Sequence, residues 1–225
     1  MPVLVLVALL IFINSSPAWA SAPVELGAEI HAGWSDFSNP DSDPTLDSHS
    51  ILGFGLQARQ GRLSLELGAD WIETEVSQKF IEGFGILPIL LVGNVLTVKG
   101  NLTIVPILLT GRLHLGTEGG MIDPYIGGGG GYYFLSYDPG STATSITGGN
   151  LSHDINFQST PGIHANLGLD IRVTPVMTFT IDARYVWANA KVSYKGDLAG
   201  LNSGANPLSL DGWVTTFGIK YYFKN

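Results

Sequence analysis

Ten charged residues are the first place to look for chemistry. Glu29, Glu66, Asp70, Asp170 and Asp182, and Arg59, Arg112, Arg172, Arg184 and Lys220, all stand in stretches where polar and apolar residues alternate. Paired carboxylates do acid–base chemistry when their surroundings push their proton affinities apart. Five acids matched by five bases suggest mutual neutralisation instead, because buried charges must pair wherever they sit. The five histidines, His31, His49, His114, His153 and His164, show no ligand spacing such as H-x-x-x-H. With no cysteine, neither a thiolate metal site nor a disulfide framework is available. The five glycines at 127–131 look like a phosphate loop in composition alone, since neither a helical pattern nor a lysine follows them. No metal, cofactor or catalytic group is expected.

What positions these charges is a period of two, repeated in eight segments. The first puts Leu26, Ala28, Ile30, Ala32 and Trp34 on one face and Glu25, Gly27, Glu29 and His31 on the other. The same alternation sets Leu52, Phe54 and Leu56 against Gln57 and Arg59, and Leu63, Leu65, Leu67 and Trp71 against Ser64, Glu66 and Asp70. Further on, Ile107, Leu109, Leu113 and Leu115 oppose Thr110, Arg112 and His114, while Ile126, Tyr132 and Phe134 mark a fifth apolar face. Ile163, Leu167 and Ile171 oppose His164, Asn166, Asp170 and Arg172 in the sixth. Met177, Phe179, Ile181, Tyr185 and Trp187 oppose Thr178, Thr180, Asp182 and Arg184 in the seventh. Trp213, Phe217, Ile219, Tyr221 and Phe223 against Thr216, Gly218 and Lys220 complete the set.

Connections between these segments alternate in length. Long ones run over residues 35–50, 73–101, 136–160 and 191–210, and short ones over 60–62, 116–123 and 174–176. In an up-and-down barrel that alternation sends long loops to one rim and short turns to the other. Trp34, Trp71, Trp187 and Trp213 all fall at the long-loop ends of their segments, as an aromatic girdle at a membrane interface requires. The expected fold is therefore an eight-stranded antiparallel up-and-down transmembrane β-barrel, with long extracellular loops and short periplasmic turns.

Composition agrees. Charged residues make up 13% of the chain, against about 25% in soluble domains. A soluble barrel would have to bury about ten charges on its inner face, at a high desolvation cost. The formal charge of −8 speaks against a nucleic-acid partner. An apolar run over residues 3–13, a break at Asn14-Ser15-Ser16-Pro17 and Ala18-Trp19-Ala20 read as a signal peptide. The domains expected are that leader, 1–20, and the barrel, 21–225, exported to a bacterial outer membrane with membrane lipid as its surroundings.

Four short stretches carry a family resemblance. Pro124-Tyr125-Ile126-Gly127-Gly128-Gly129, then Asn166-Leu167-Gly168-Leu169-Asp170 with Asp182-Ala183-Arg184-Tyr185, and Val105-Pro106-Ile107 resemble strands of the OmpW family of outer-membrane barrels. Phe217, Ile219, Tyr221 and Phe223 resemble the terminal signal read by the barrel-assembly machinery, although Lys224 and Asn225 follow where such barrels finish on Phe. The resemblance implies a passive conduit for small hydrophobic solutes, through the barrel mouth and a lateral gap. On that reading the apolar loop over residues 80–98 supplies a collar for solute, with Phe80, Phe84, Ile86 and Leu90 as its candidate contacts; alternatively it extends the flanking strands. The ten charges form the candidate lumen network. Two other classes stay open: a structural or adhesive OmpA-like barrel acting through its loops, and a lipid A-modifying enzyme. The lipid A 3-O-deacylases carry His-x-Ser-Asn, and the nearest match here, Val186-Trp187-Ala188-Asn189, lacks both reacting groups.

Overall fold

The computed structural model describes residues 23–37, 45–46, 49–81, 95–117, 120–139, 154–195 and 205–223. Its strands are β1 (Val24–Asp36), β2 (Thr45–Leu46), β3 (His49–Gln60), β4 (Leu63–Ile81), β5 (Val95–His114), β6 (Ile122–Pro139), β7 (Asp154–Gln158), β8 (Thr160–Arg172), β9 (Met177–Lys195), β10 (Ala205–Ser209) and β11 (Gly212–Phe223). Eight of them close a ring in the order β1-β3-β4-β5-β6-β8-β9-β11, each antiparallel to its neighbours. Closure pairs β1 with β11 from Leu26↔Phe223 to Asp36↔Trp213. No edge is left within the wall, which is the condition for strands in hydrocarbon.

Alternation decides which way each side chain points. Ile30, Leu52, Phe54, Leu56, Ile163 and Leu167 are all exposed, and Ile30 and Leu52 reach 66%. Their neighbours Glu29, Gln57, Glu66, His164 and Asn166 are buried. A water-soluble molecule would not carry so large an apolar exterior. The aromatic residues cluster at the two rims: Trp34 lies 5.7 Å from Phe217, Tyr185 lies 4.8 Å from Trp187 and 5.1 Å from Trp213, and Tyr221 lies 5.6 Å from Phe223 at the opposite end.

The short turns are tied by local hydrogen bonds. Gly61 takes φ 58° as the first of two residues joining β3 to β4, a left-handed position that favours glycine. Asp123 accepts from the Gly116 amide in the β5–β6 turn, and Thr174 Oγ1 accepts from the Met177 amide between β8 and β9.

The long connections contain more strand than the sequence suggests. β4 and β5 remain paired through Glu73↔Thr103 to Ile81↔Val95, so much of 73–101 is a hairpin arm rather than loop. Likewise β7 and β10 pair with the outer part of β9 within two other expected loops. Backbone pairing does not stop at the membrane surface; only the apolar outward face does. Between β7 and β8 the register against β9 shifts by one residue, from Gln158↔Lys191 to Gly162↔Ala188, which is the mark of a bulge. That shift turns Phe157 inward, where it is buried. Pro106, which lacks an N–H, sits where the β4–β5 ladder skips from Ala69↔Ile107 to Ile72↔Ile104.

Candidate functional site

The barrel interior has two regions stacked along its axis. Nearest the short turns, Arg59 reaches Asp123 Oδ2 at 2.8 Å, and His114 holds the same oxygen at 3.0 Å through Nδ1. Ser64 Oγ and His114 Nε2 are 3.0 Å apart. One level further in, Lys220 Nζ lies 3.1 Å from Asp170 Oδ2 and 3.6 Å from Glu29 Oε2. Arg112 grips Glu66 with both terminal nitrogens, each at 2.7 Å, and lies 4.8 Å from the centroid of the Tyr125 ring. Tyr125 and Asn166 both donate to Asp182 Oδ2, at 2.8 and 2.6 Å. Above these, Asp70 takes His31 Nε2 at 2.8 Å and Arg184 at 3.2 Å, while Thr110 meets His164 Nε2 at 2.9 Å.

Several of these pairs sit two strands apart and meet over a glycine. His31 on β1 and Asp70 on β4 are both level with Gly53 of β3, and a Cβ there would lie 2.3 Å from one and 2.5 Å from the other. Thr110 and His164 meet across Gly129, and Tyr125 and Asp182 across Gly168. The pentaglycine is thus part of the wall beneath crossing side chains. A single missing Cβ lets a polar side chain cross an intervening strand.

Nine of the ten charges singled out above lie in this interior and are at most 7% exposed. Arg172 does not join them: it stands at the short-turn rim, half-buried, with Glu25 Oε2 at 3.9 Å. Its position at the last residue of β8 carries it past the packed levels. Asp123 takes a place among the buried charges that alternation alone did not assign. Among the described residues the interior therefore holds six buried carboxylates and four buried Arg or Lys, with His31 and His114 as further partners of Asp70 and Asp123. Of the apolar-loop residues, Phe80 pairs along the backbone with Leu96 near the end of β4. Phe84, Ile86 and Leu90, and residues 1–20, lie outside the described residues.

Towards the long-loop rim the inward positions become aliphatic. Ile51, Ile72, Leu102, Ile104, Leu108, Val186 and Val192 pack with Tyr133, and Phe37, Phe157, Leu208 and Leu210 close over them. Val186 and Ala188, which stand where a deacylase carries its reacting groups, belong to this cluster. The sequence pattern hid the region because apolar inward residues next to apolar outward ones erase the period. A signal was present in 102–108, where Thr103 is the single polar residue between Leu102 and Leu108.

An aliphatic upper interior above a closed charged network, inside a wall with an apolar exterior, is the geometry to compare with known proteins. The OmpW family model matches residues 90–223, more than half of the chain. The chain belongs to the OmpW family. A Rickettsia conorii protein, RC0105, is 28% identical over 119 residues, which are 53% of this chain and 43% of that one, so the match spans less than half of that relative. Among solved structures, Neisserial surface protein A superposes with a TM-score of 0.53 at 14% identity, covering 89% of this chain and 97% of the other. The E. coli outer membrane protein W gives 0.48 at 16% identity, covering 90% and 100%. This OmpW-family chain is an outer-membrane β-barrel.

Proposed function

We propose that this OmpW-family barrel is a passive conduit for small hydrophobic molecules, which leave it sideways into the membrane rather than through its floor. The observation that carries the reading is the change of lining along the interior, from Leu102, Ile104 and Val186 above to Asp70, Arg184 and Arg112 below. A nonpolar molecule gains about 25 cal/mol per Å² on leaving water for apolar surface. It loses that gain on meeting ion pairs that already satisfy one another, because separating them exposes buried charge. An eight-stranded barrel is also just wide enough for its own side chains, which disfavours an aqueous pore. Capture by the apolar collar at Phe80, Phe84, Ile86 and Leu90, then lateral release, is the path of least cost.

The test uses uptake of a hydrophobic tracer by intact cells. Replacing those four collar residues with Ser should slow uptake while the barrel still assembles. Neutralising Asp182 and Arg184 together should lower stability more than uptake. Normal uptake by the collar variant, with failure of the Asp182/Arg184 variant, would make the lumen the path. If neither matters, action through the loops in an adhesive role becomes the better reading.

A further inference from the structure

The outer wall carries a hollow of about 340 Å³, walled by Leu63, Leu65, Leu113 and Ile126 and floored at Gly111. It lies one step from the β3–β4 turn, since Leu63 is level with Leu113 and Leu113 with Ile126. The position of Gly111 is exposed, and it lies level with Leu65 of β4 and Gly128 of β6. A Cβ at Gly111 would meet nothing closer than the Gly128 carbonyl, at 3.9 Å. The glycine therefore leaves open space outside the barrel, and nothing inside depends on its bareness. Arg62 directly precedes Leu63 in the turn, is exposed, and makes no ion pair among the described residues.

We propose that this hollow holds one acyl chain of a glycerophospholipid of the periplasmic leaflet, with Arg62 on its phosphate. Water does not fill a dent in a hydrocarbon-facing wall, and an empty one forfeits dispersion contacts along its lining. Within the bilayer no hydrophobic gain separates bound from free lipid, so retention rests on close packing and a polar anchor. The shallow hollow supplies the packing, along Leu63, Leu65, Leu113 and Ile126. The guanidinium supplies the anchor, because Arg pairs with phosphate oxygens through two parallel hydrogen bonds. Short turns mark the periplasmic rim of an outer-membrane barrel, so the partner is a phospholipid of that leaflet.

Native mass spectrometry of the whole barrel tests this, after reconstitution in vesicles of phosphatidylethanolamine and phosphatidylglycerol and release in mild detergent. The wild type should carry one retained phospholipid. Gly111→Phe fills the slot and should abolish retention, and Gly111→Val should weaken it; gel migration before and after boiling checks that both variants fold. Arg62→Gln should weaken the affinity for phospholipid by at least roughly tenfold, as expected for losing a charge-assisted pair of hydrogen bonds. A phosphate-free galactolipid with the same chains should bind wild type and Arg62→Gln equally weakly. Retention unchanged by filling the slot in a folded barrel overturns the proposal. So do dimers that Gly111→Phe dissociates, which would make the hollow a contact between copies.

Discussion

Along β5 the inward side chains pass from Leu102 and Ile104 to Thr110 and Arg112, and along β9 from Val192 and Val186 to Arg184 and Asp182. The same wall thus encloses an aliphatic plug at one end and a salt-bridged one at the other. Both fill the lumen, but they tolerate different errors. A packed aliphatic region responds to volume, because a missing methylene leaves a cavity. A paired region responds to charge, because a lost partner leaves the other ion buried in a medium that solvates it poorly.

The largest separation between the two should come from near-isosteric changes. Lys220→Met keeps length but strips Asp170 and Glu29 of their shared cation, and should cost about 3–5 kcal/mol. Leu102→Met, at the other end, conserves volume and should cost less than about 1.5 kcal/mol. Urea unfolding in lipid vesicles measures both; equal losses would mean the interior is energetically uniform. Truncation reverses the logic. Ile104→Ala opens a void beside fully buried Leu102 and should cost about 2–5 kcal/mol, read in the same unfolding series.

Next in size is Gly53→Ala. Its methyl group would force His31 and Asp70 apart, at about 1–3 kcal/mol, whereas Gly111→Ala on the outer wall should be nearly neutral. If the two cost the same, crossing over glycine is not what holds the charged region. A smaller loss than that of Lys220→Met is expected of Tyr125→Phe, which removes one hydrogen bond to Asp182 and leaves that from Asn166 in place. About 1–2 kcal/mol follows, detectable as a shift in unfolding midpoint at unchanged slope.

Most of the wall was legible in the residues, and the reason is the solvent. Hydrocarbon outside and polar groups inside force the alternation seen at Leu26 to Trp34 and again at Met177 to Trp187, so strand number and side-chain direction follow from period two. Where the outward face no longer meets lipid, as at Glu73 and Glu75, the alternation fades and paired strand reads as loop. The inward character of Phe157 was hidden for another reason: one extra residue at the bulge reverses the parity. The charged residues could be named from their face, yet their partners could not. His31 and Asp70 are brought together by two separate registers through Gly53, and register is a property of three strands at once. Arg172 shows the opposite failure, since face alone does not say at what height a side chain lies.

The seam between β1 and β11 joins the first barrel strand of the chain to the last, with Glu29 directly opposite Lys220. Forming it demands the longest loop closure in the molecule, and contacts that distant in sequence are slow to form. Lys220 also holds Asp170, so one ammonium group ties together strands far apart in the sequence. Until the seam shuts, Glu29 lacks that ammonium and keeps only His31, at 3.6 Å, and Arg112, at 4.0 Å, so burying it in the bilayer costs more. The closed barrel thus buries Glu29 at a lower electrostatic cost than a half-closed sheet would, which favours pairing of β1 with β11 together with, or before, burial of the lumen.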